Sequence, residues 1–427
     1  MKEISVIGLG YVGLPLAVEF GKKRKVLGFD INPSRIEELK KGHDSTNECT
    51  QDQIEAAKNL TFTENQIDIK NSEIYIITVP TPVDHFNKPD LTFLEAACRM
   101  VGQILSKGNI VIFESTVFPG ATEEVCAPIL EQNSNLEFNK DFFCGYSPER
   151  INPGDKVNTL KSVIKITSGS NIETADEVDA LYKTIIDAGT YQARSIKVAE
   201  AAKVIENSQR DLNIAFVNEL SLIFDRLNID TMEVLEAAGT KWNFLKFKPG
   251  MVGGHCISVD PYYLTHKAEE VGYKPELILA GRKTNDRMAR YAAKSIIERM
   301  AKNNIDISKS AIAVFGATFK DNCPDIRNSK IFDLVDELER NSIKVYLIDP
   351  WADEDEVFKN YGYKLSKLSS CKKVDSIIVA VAHNEFKRIK AEEYMKLCKS
   401  SEPVFGDLKS IFSKNDLELA GFNVFRL

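Results

Sequence analysis

The stretch GLGYVG, residues 8–13, decides the fold, because it follows the short apolar run Ile4–Ile7 and opens the helical pattern Leu14–Lys23. A buried strand, a glycine-rich turn and a helix in this order begin a parallel α/β sheet. The first turn of such a helix carries N–H groups without partners, and its dipole favours negative charge. The stretch therefore predicts a backbone cradle for a phosphate group at the end of the first strand.

The glycines and one carboxylate indicate which ligand the cradle holds. Gly8 permits the tight turn, Gly10 lets a pyrophosphate approach the backbone, and Gly13 allows the helix to pack closely on the strand. Asp30 ends the next strand pattern, Val26–Phe29, where a carboxylate accepts both ribose hydroxyls and repels a 2′-phosphate. The spacing favours NAD over NADP, against the alternative of an ordinary glycine-rich turn beside a surface aspartate.

Two further loops fall at the ends of predicted strands, where ligands bind in doubly wound sheets. The strands are Ile74–Val79 and Ile110–Glu114, and the loops are VPTP, residues 79–82, and STVFPG, residues 115–120. Their hydroxyls can contact nicotinamide, its ribose or a reacting water, although turn chemistry alone explains each loop. Arg35 either stacks on adenine or is a solvated helix charge. The predicted cofactor contacts are Gly8, Gly10, Tyr11, Val12, Gly13, Asp30, Arg35, Pro80, Thr81 and Thr116.

The pattern along the chain predicts three domains. Residues 1–190 alternate strand and helix as an NAD-binding Rossmann domain. No glycine or proline occurs between residues 189 and 239, and Ile196–Leu227 is predicted as one long helix of a central helical domain, residues 191–305. Alternation returns in residues 306–427, without a second glycine-rich triplet. Further helical patterns are Tyr262–Val271, Glu276–Asn285, Arg287–Asn303 and Ser329–Arg340, and further strand patterns are Ala311–Phe315, Val345–Ile348 and Ser376–Ala382. The expected fold class is α/β, with two Rossmann-like doubly wound domains joined by a long central helix.

Composition excludes several classes of protein. The 427 residues are 43% hydrophobic and 27% charged, which allows a packed core and excludes global disorder. The net charge of −7 argues against nucleic-acid binding, and no apolar run approaches the ~18 residues of a membrane span. Eight cysteines without a CxxC pair and five scattered histidines give no zinc spacing, so no metal is expected. With no signal-peptide layout at the N-terminus, we expect a soluble cytoplasmic protein with reduced thiols.

The segment GGHCISVD, residues 253–260, holds the main candidate for catalysis. Cys256 can act as a nucleophile toward a carbonyl carbon, although a small buried hydrophobe is the more common role of a cysteine. His255 either activates the thiol or only packs. Asp260 lies near enough in sequence to share one site with Cys256.

Three further polar residues suit the same chemistry. Lys203 and Asn207 lie four residues apart on one face of the long helix, where an ammonium and an amide can stabilise an oxyanion; a solvated polar face is the alternative. Glu149 lies in the loop-like stretch GYSPERINPG, residues 145–154, and can act as a general base for a water.

Together these motifs resemble the nucleotide-sugar 6-dehydrogenases, the UDP-glucose and GDP-mannose dehydrogenase superfamily, over essentially the whole chain. Within the superfamily the sequence is most similar to the bacterial UDP-N-acetylglucosamine/UDP-N-acetylgalactosamine 6-dehydrogenases. The motifs that carry the resemblance are GLGYVGLPLA (8–17), VPTP (79–82), ESTVFPG (114–120), KVAEAAKVIEN (197–207), GGHC (253–256) and FKDNCPDIRNS (319–329), with SPERINPGD (147–155) and KPGMVGGHCISVDPYYLTHK (248–267) for the finer match.

The resemblance implies an NAD-dependent four-electron oxidation of the 6-hydroxymethyl group of a UDP-N-acetylhexosamine, with two NAD reduced. It implies that a cysteine attacks the aldehyde to give a thiohemiacetal, which is oxidised to a thioester that water hydrolyses. The implied catalytic residues are Cys256, Lys203, Asn207, Asp260, Glu149 and Thr116. Arg327 is implied near the cofactor and Lys320 at the substrate, with Glu149, Arg150, Asn152, Lys203, Asn207, Arg210 and Gly253 as further substrate contacts.

The resemblance also implies a homodimer through the central helix, a C-terminal domain that holds the nucleotide, and a product that supplies O-antigen or capsule. Neither a nucleic acid nor a membrane is expected as a partner. UDP-glucose enzymes commonly carry a second glutamate where this chain has Pro153, which tells against UDP-glucose as the substrate.

Alternative functions remain open from the sequence. The substrate can also be UDP-glucose or UDP-N-acetylmannosamine in place of UDP-N-acetylglucosamine and UDP-N-acetylgalactosamine. A two-electron β-hydroxyacid or polyol dehydrogenase shares the Rossmann beginning but needs no cysteine, so Cys256 separates it from the four-electron enzyme. A non-catalytic NAD-binding sensor is the third class, against which Lys203 and Glu149 argue.

Overall fold

The computed structural model describes residues 2–151, 157–255, 257–371 and 373–427. The chain divides into two compact units, each built from two pieces of sequence. The first unit comprises Met1–Glu206 and Tyr262–Lys274, and the second comprises Asn207–Pro261 and Pro275–Leu427. The division falls inside the long helix that the sequence predicts.

Every named strand pairs in parallel with its neighbours. The strands are β1 (Ile4–Ile7), β2 (Val26–Phe29), β3 (Leu60–Thr63), β4 (Ile74–Ile77), β5 (Ile110–Phe113), β6 (Phe143–Tyr146), β7 (Lys165–Thr167), β8 (Thr190–Gln192), β9 (Ala311–Phe315), β10 (Lys344–Ile348), β11 (Ser376–Val379), β12 (Val404–Asp407) and β13 (Asn423–Arg426).

The helices connect these strands on both faces of the sheets. They are α1 (Gly13–Gly21), α2 (Pro33–Lys40), α3 (Gln51–Ala56), α4 (Thr92–Gly102), α5 (Ala127–Ser134), α6 (Ile172–Lys183), α7 (Ile196–Leu227), α8 (Thr231–Ala238), α9 (Asp260–Glu270), α10 (Glu276–Lys302), α11 (Lys330–Arg340), α12 (Glu354–Tyr361), α13 (Asn384–Lys387), α14 (Ala391–Met395) and α15 (Lys414–Leu419). None of the described helices is both long and apolar enough to cross a membrane.

The first unit is built on a sheet with the strand order β3-β2-β1-β4-β5-β6, the order of a Rossmann domain. Strands β1, β4 and β5 are buried along their whole length, because helices cover both faces of a parallel sheet. The order reverses between β1 and β4, so a crevice for ligands opens beyond their carboxyl ends. Helix α9 belongs largely to this unit, where Tyr263 Oη donates to the carbonyl oxygen of Pro82 at 2.9 Å.

The second unit carries a sheet with the order β10-β9-β11-β12-β13, which is also a doubly wound arrangement. Its core joins α10 and α11 to the sheet through fully buried side chains such as Met288, Ile296 and Leu334. The two units and the 32-residue helix α7 confirm the predicted fold class.

One local prediction is wrong: the patterns Glu276–Asn285 and Arg287–Asn303 form the single helix α10. Asp286 does not interrupt it, because its carboxylate accepts from Arg282, one turn earlier, at 2.7 Å.

Candidate active site

The glycine loop after β1 has the shape of a dinucleotide cradle. Gly8 adopts a φ of +92°, which side-chain-bearing residues rarely reach. A Cβ at Gly13 would lie 1.8 Å from the carbonyl oxygen of Gly8, so only glycine lets α1 begin here. A Cβ at Gly10 would meet nothing within 4 Å, so the backbone faces open space at the position where a pyrophosphate would approach. These residues fit a dinucleotide cofactor.

Asp30 is fixed beside this loop at the end of β2. Its Oδ2 accepts from the N–H of Leu9 at 2.8 Å, and its Oδ1 accepts from the N–H of Asn32 at 2.9 Å. Each carboxylate oxygen keeps a free lone pair, so the group can still accept hydrogen bonds from ribose hydroxyls. The carboxylate therefore lies where the sequence analysis requires it.

Arg35 is buried, so the alternative of a solvated helix charge is wrong. Its Nε donates to the carbonyl oxygen of Leu9 at 2.9 Å, and its Nη2 donates to the buried Asp44 at 2.8 Å. Glu38 forms a further ion pair with the same guanidinium. The side chain supports the glycine loop from within the protein, and its stacking on adenine stays a prediction.

The two strand-end loops of the first unit are tied to each other and to α7. Ser115 Oγ donates to the carbonyl oxygen of Val79 at 2.6 Å. The buried Glu200 of α7 accepts from the N–H of Gly120 at 2.5 Å and from the N–H of Thr122 at 2.9 Å. Lys203, also buried, lies three residues after Glu200 on the same helix face. The loop with Thr116 and the helix with Lys203 are therefore held together, while Pro80 is exposed and Thr81 half-buried.

Glu149 follows β6 in a conformation fixed by the backbone. Its Oε1 accepts from the N–H groups of Arg150 and Ile151, at 2.7 and 2.6 Å. Its Oε2 lies 3.8 Å from the Nζ of Lys165, a buried lysine of β7 that the sequence analysis does not select. The lysine sits inside the otherwise apolar run VIKI, residues 163–166, which is the signal that could have drawn attention to it.

Of the predicted substrate contacts that follow Glu149, the structure describes Arg150 but not Asn152. The Arg150 guanidinium pairs with Glu206 of α7 at 2.7 Å and donates to the carbonyl oxygen of Ile164 at 2.7 Å. Asn152 and Pro153 lie outside the described residues.

In the second unit, the structure brings Asn207 and Asp260 together although 53 residues separate them. Asn207 Nδ2 donates to Asp260 Oδ2 at 2.5 Å, and Asp260 is buried. The amide keeps one N–H for another acceptor. Arg210, one turn further along α7, is exposed.

The segment before Cys256 packs tightly, whereas Cys256 itself lies outside the described residues. A Cβ at Gly253 would lie 2.6 Å from the carbonyl oxygen of Asn328. Gly254 has a φ of +86°, and a Cβ there would come within 2.8 Å of the Phe319 ring. Glycines are therefore required at both positions. Lys320, which follows Phe319 in the sequence, is half-buried.

His255 is hydrogen-bonded and not merely packed. Its Nε2 lies 2.7 Å from Asp325 Oδ2, and Arg327 reaches the same carboxylate through Nη2 at 2.7 Å and Nε at 3.0 Å. Burial alone would raise the pKa of Asp325, but the bonds to His255 and Arg327 outweigh it and hold that pKa well below its usual range. Arg327, the residue implied near the cofactor, is thus oriented by Asp325.

Lys409 is a further cation that the sequence analysis missed. Its Nζ would lie 3.9 Å from a Cβ at Gly250, in the segment that leads to GGHC. Burial lowers the pKa of its ammonium, although Asp321 acts in the opposite direction. Its position two residues after the end of β12 marks it as a candidate for binding an anion.

Sequence profiles of one enzyme family match most of the chain. The NAD binding domain of the UDP-glucose/GDP-mannose dehydrogenase family matches residues 2–186, its central domain residues 197–287 and its UDP binding domain residues 313–414.

Individual proteins match over nearly the full length. The chain is 55% identical over 419 residues to UDP-N-acetyl-D-glucosamine 6-dehydrogenase of Pseudomonas aeruginosa, covering 98% of this chain and 99% of that protein. The enzyme of the same name from Salmonella typhi is 55% identical over 410 residues, covering 96% of each chain. The structure of UDP-D-ManNAc dehydrogenase from Pyrococcus horikoshii superposes with a TM-score of 0.89 at 31% identity, covering 99% of this chain and 98% of that one. These matches confirm the resemblance seen in the motifs: the chain belongs to the UDP-glucose/GDP-mannose dehydrogenase family and is an NAD-dependent oxidoreductase.

Proposed function

We propose that the protein oxidises the 6-hydroxymethyl group of a UDP-N-acetylhexosamine, UDP-N-acetylglucosamine or UDP-N-acetylgalactosamine or both, to the uronic acid. The hydrogen bond between Asn207 and Asp260 carries the proposal, because it fixes an amide donor and a carboxylate four residues beyond Cys256. The relatives that are 55% identical to this chain are named for UDP-N-acetyl-D-glucosamine, which supports the choice of sugar.

The residues of the cradle, Gly8, Gly10, Gly13 and Asp30, would hold NAD, which when bound accepts a hydride in each of two oxidations. An enzyme that oxidises an alcohol twice must retain the aldehyde, and a covalent adduct with a thiol does so. Cys256 is assigned that role: its sulfur bonds to the aldehyde carbon and gives a thiohemiacetal oxyanion. The ammonium of Lys203 and the remaining N–H of Asn207 are donors suited to that oxyanion.

The thioester formed by the second oxidation is then hydrolysed. Water attacks the thioester carbonyl, the carbon–sulfur bond breaks, and the thiolate of Cys256 is regenerated. Asp260 and Thr116 are assigned to hold this water, and Glu149 to take its proton. The fixed geometry of Glu149 supports this role, because the two described backbone N–H groups bind Oε1, and Oε2 is the oxygen assigned to take the proton.

The nucleotide and the protein assembly complete the proposal. Lys320, Arg210, Gly253 and the newly identified Lys409 are assigned to the UDP-sugar, and Arg327 to the cofactor. Residues 191–305 are assigned to dimerisation and the cysteine loop, and residues 306–427 to the nucleotide. We further infer a cytoplasmic homodimer through α7 whose product supplies a surface polysaccharide such as O-antigen or capsule.

The stoichiometry of the reaction tests the four-electron mechanism. We expect two NADH for each sugar consumed, and Cys256→Ser should lower kcat by more than about 1000-fold, because serine is the weaker nucleophile at neutral pH. The variant should still bind NAD, since the glycine loop lies in another segment, and NAD binding measured by calorimetry is the control. One NADH per sugar would support a two-electron dehydrogenase, and wild-type rates in the variant would make Cys256 a structural residue.

A panel of UDP-sugars tests the choice of substrate. We expect kcat/KM for UDP-N-acetylglucosamine or UDP-N-acetylgalactosamine to exceed that for UDP-glucose by at least about tenfold. A site shaped for an acetamido group leaves polar groups unpaired when a hydroxyl binds, at a cost of ~1–3 kcal/mol for each group. UDP-N-acetylmannosamine belongs in the panel because more distant relatives, 34% identical and below, are named for it. Equal or greater efficiency with UDP-glucose would contradict the acetamido assignment.

A further inference from the structure

Lys165, at the start of β7, is a buried lysine with two buried partners. Its side chain is 3% exposed, and its Nζ lies 2.6 Å from Glu114 Oε2 at the end of β5. Tyr182 of α6 donates its hydroxyl to Glu114 Oε1 at 2.5 Å, and the lysine Nζ lies 5.4 Å from the centre of the same ring. Both oxygens of Glu114 are therefore occupied, and the lysine is anchored between β5 and α6.

The ammonium of Lys165 also faces a second carboxylate. Glu149 Oε2 lies 3.8 Å from Nζ, while Glu149 Oε1 is held by two backbone N–H groups. Glu114, Glu149 and Tyr182 are the titratable groups that the described contacts bring to this lysine. Burial raises the pKa of Glu114, and burial together with Glu114 raises that of Tyr182. The neighbouring cation, Arg150, is already paired with Glu206.

A purely structural role does not explain this arrangement. A buried ion pair contributes little net stability, because desolvation offsets the attraction, and apolar side chains in place of both Lys165 and Glu114 would hold β7 equally well. What an apolar side chain cannot do is set a positive charge next to Glu149 Oε2. Lys165 of β7 places its ammonium 3.8 Å from Glu149 Oε2, whereas the described backbone N–H groups bind Glu149 Oε1.

We propose that Lys165 is a positioning residue for Glu149: anchored by Glu114, its ammonium holds Glu149 Oε2 in the orientation that takes the proton of the hydrolytic water. The inference rests on the proposed function, in which water attacks the thioester, the carbon–sulfur bond breaks, and Glu149 receives the proton. In this proposal Lys165 acts through Glu149 and is assigned no contact of its own with substrate or cofactor.

The experiment measures the hydrolysis step separately from the oxidations. Lys165→Met should slow thioester hydrolysis by about 100-fold, so that the enzyme carrying one covalent sugar accumulates in intact-mass spectra taken during turnover. The value of kcat should fall with the rate of hydrolysis while KM does not rise, because the substitution leaves substrate binding intact. Glu149→Gln is the reference for a blocked hydrolysis step. The matched control is Lys161→Met, at a half-buried lysine of the same unit whose Nζ lies 3.2 Å from Glu19 Oε2.

A second variant distinguishes a loss of positioning from misfolding of the protein. Lys165→Met alone leaves Glu114 buried without a cation, whereas Lys165→Met with Glu114→Gln removes both charges and keeps an acceptor for Tyr182. This double variant should fold as the wild type does and still accumulate the acyl-enzyme, with kcat lowered and KM unchanged.

The outcomes separate this inference from the proposed function. If Glu149→Gln accumulates the acyl-enzyme but the double variant hydrolyses it at the wild-type rate, the inference is overturned and the proposed function stands. If Glu149→Gln accumulates no acyl-enzyme, the role of Glu149 in the proposed function fails, and the role of Lys165 fails with it.

Discussion

At the scale of single residues, Asp30 decides between the two nicotinamide cofactors. Its carboxylate is fixed by the N–H groups of Leu9 and Asn32, so it cannot swing away from a 2′-phosphate. Asp30→Ser combined with Ile31→Arg should raise the NADP/NAD ratio of kcat/KM by at least about tenfold, since removing like charge and adding opposite charge each favour the phosphate. Ile31 is 77% exposed, so an arginine fits there.

Ile31→Arg alone is the control for this change, because it keeps the carboxylate and should shift the ratio less. Steady-state kinetics with both cofactors is the measurement. A wild-type enzyme that uses NADP as efficiently as NAD would contradict the assignment of Asp30.

The residues of the site were predictable from the sequence to different degrees. The glycine loop and Asp30 follow from local spacing, and Asn207 and Asp260 were both selected although only the fold shows that they are hydrogen-bonded. Lys165 and Lys409 were not selected from the sequence. The apolar run VIKI indicates at most that Lys165 is buried, and its role depends on Glu114 and Glu149, which lie 51 and 16 residues earlier in the chain.

At the scale of elements, α7 presents apolar side chains to solvent. Phe216, Ile223 and Leu227 are 57%, 46% and 58% exposed, and their spacing of seven and four residues places them on one face. Such a face is typical of a helix that pairs with another copy, so Phe216→Glu should convert the dimer proposed above to a monomer in sedimentation velocity experiments.

Phe358 of α12 provides a matched control for this substitution, because it is a helical phenylalanine with 54% exposure. Phe358→Glu should leave the sedimentation coefficient unchanged. A wild-type protein that sediments as a monomer, or a Phe216→Glu variant that stays dimeric, would contradict the assigned interface.

The elements themselves were predicted best where the apolar signal is continuous. The bounds of β1, β2, β9 and α7 agree with the patterns in the sequence. Strands β6, FCGY, and β12, VFGD, are among those that the sequence did not predict. They form because β5 and β11 supply partners for their hydrogen bonds.

At the scale of the whole molecule, the same local arrangement occurs in both sheets: a glycine with a positive φ follows one strand, and an aspartate after the neighbouring strand binds the adjacent backbone. The sequence did not reveal this repetition. Gly316 follows β9 with a φ of +110°, as Gly8 follows β1 with +92°. Asp349, after β10, accepts from the N–H of Ala317 at 2.6 Å, as Asp30 accepts from that of Leu9. The order of the strands in each sheet depends on pairing between segments that are far apart in the sequence. The fold class could therefore be predicted, but the strand orders could not.

The first unit is built from two separate pieces of sequence, and this affects how it folds during translation. The ribosome releases residues 1–206 well before α9, whose Tyr263 binds the carbonyl oxygen of Pro82 and whose Lys267 pairs with Glu124 at 2.7 Å. During translation the sheet can therefore assemble while the VPTP loop and the segment around Glu124 still lack these partners. A nascent chain completes its cofactor-binding half only after more than 60 further residues, including the GGHC segment, have been made.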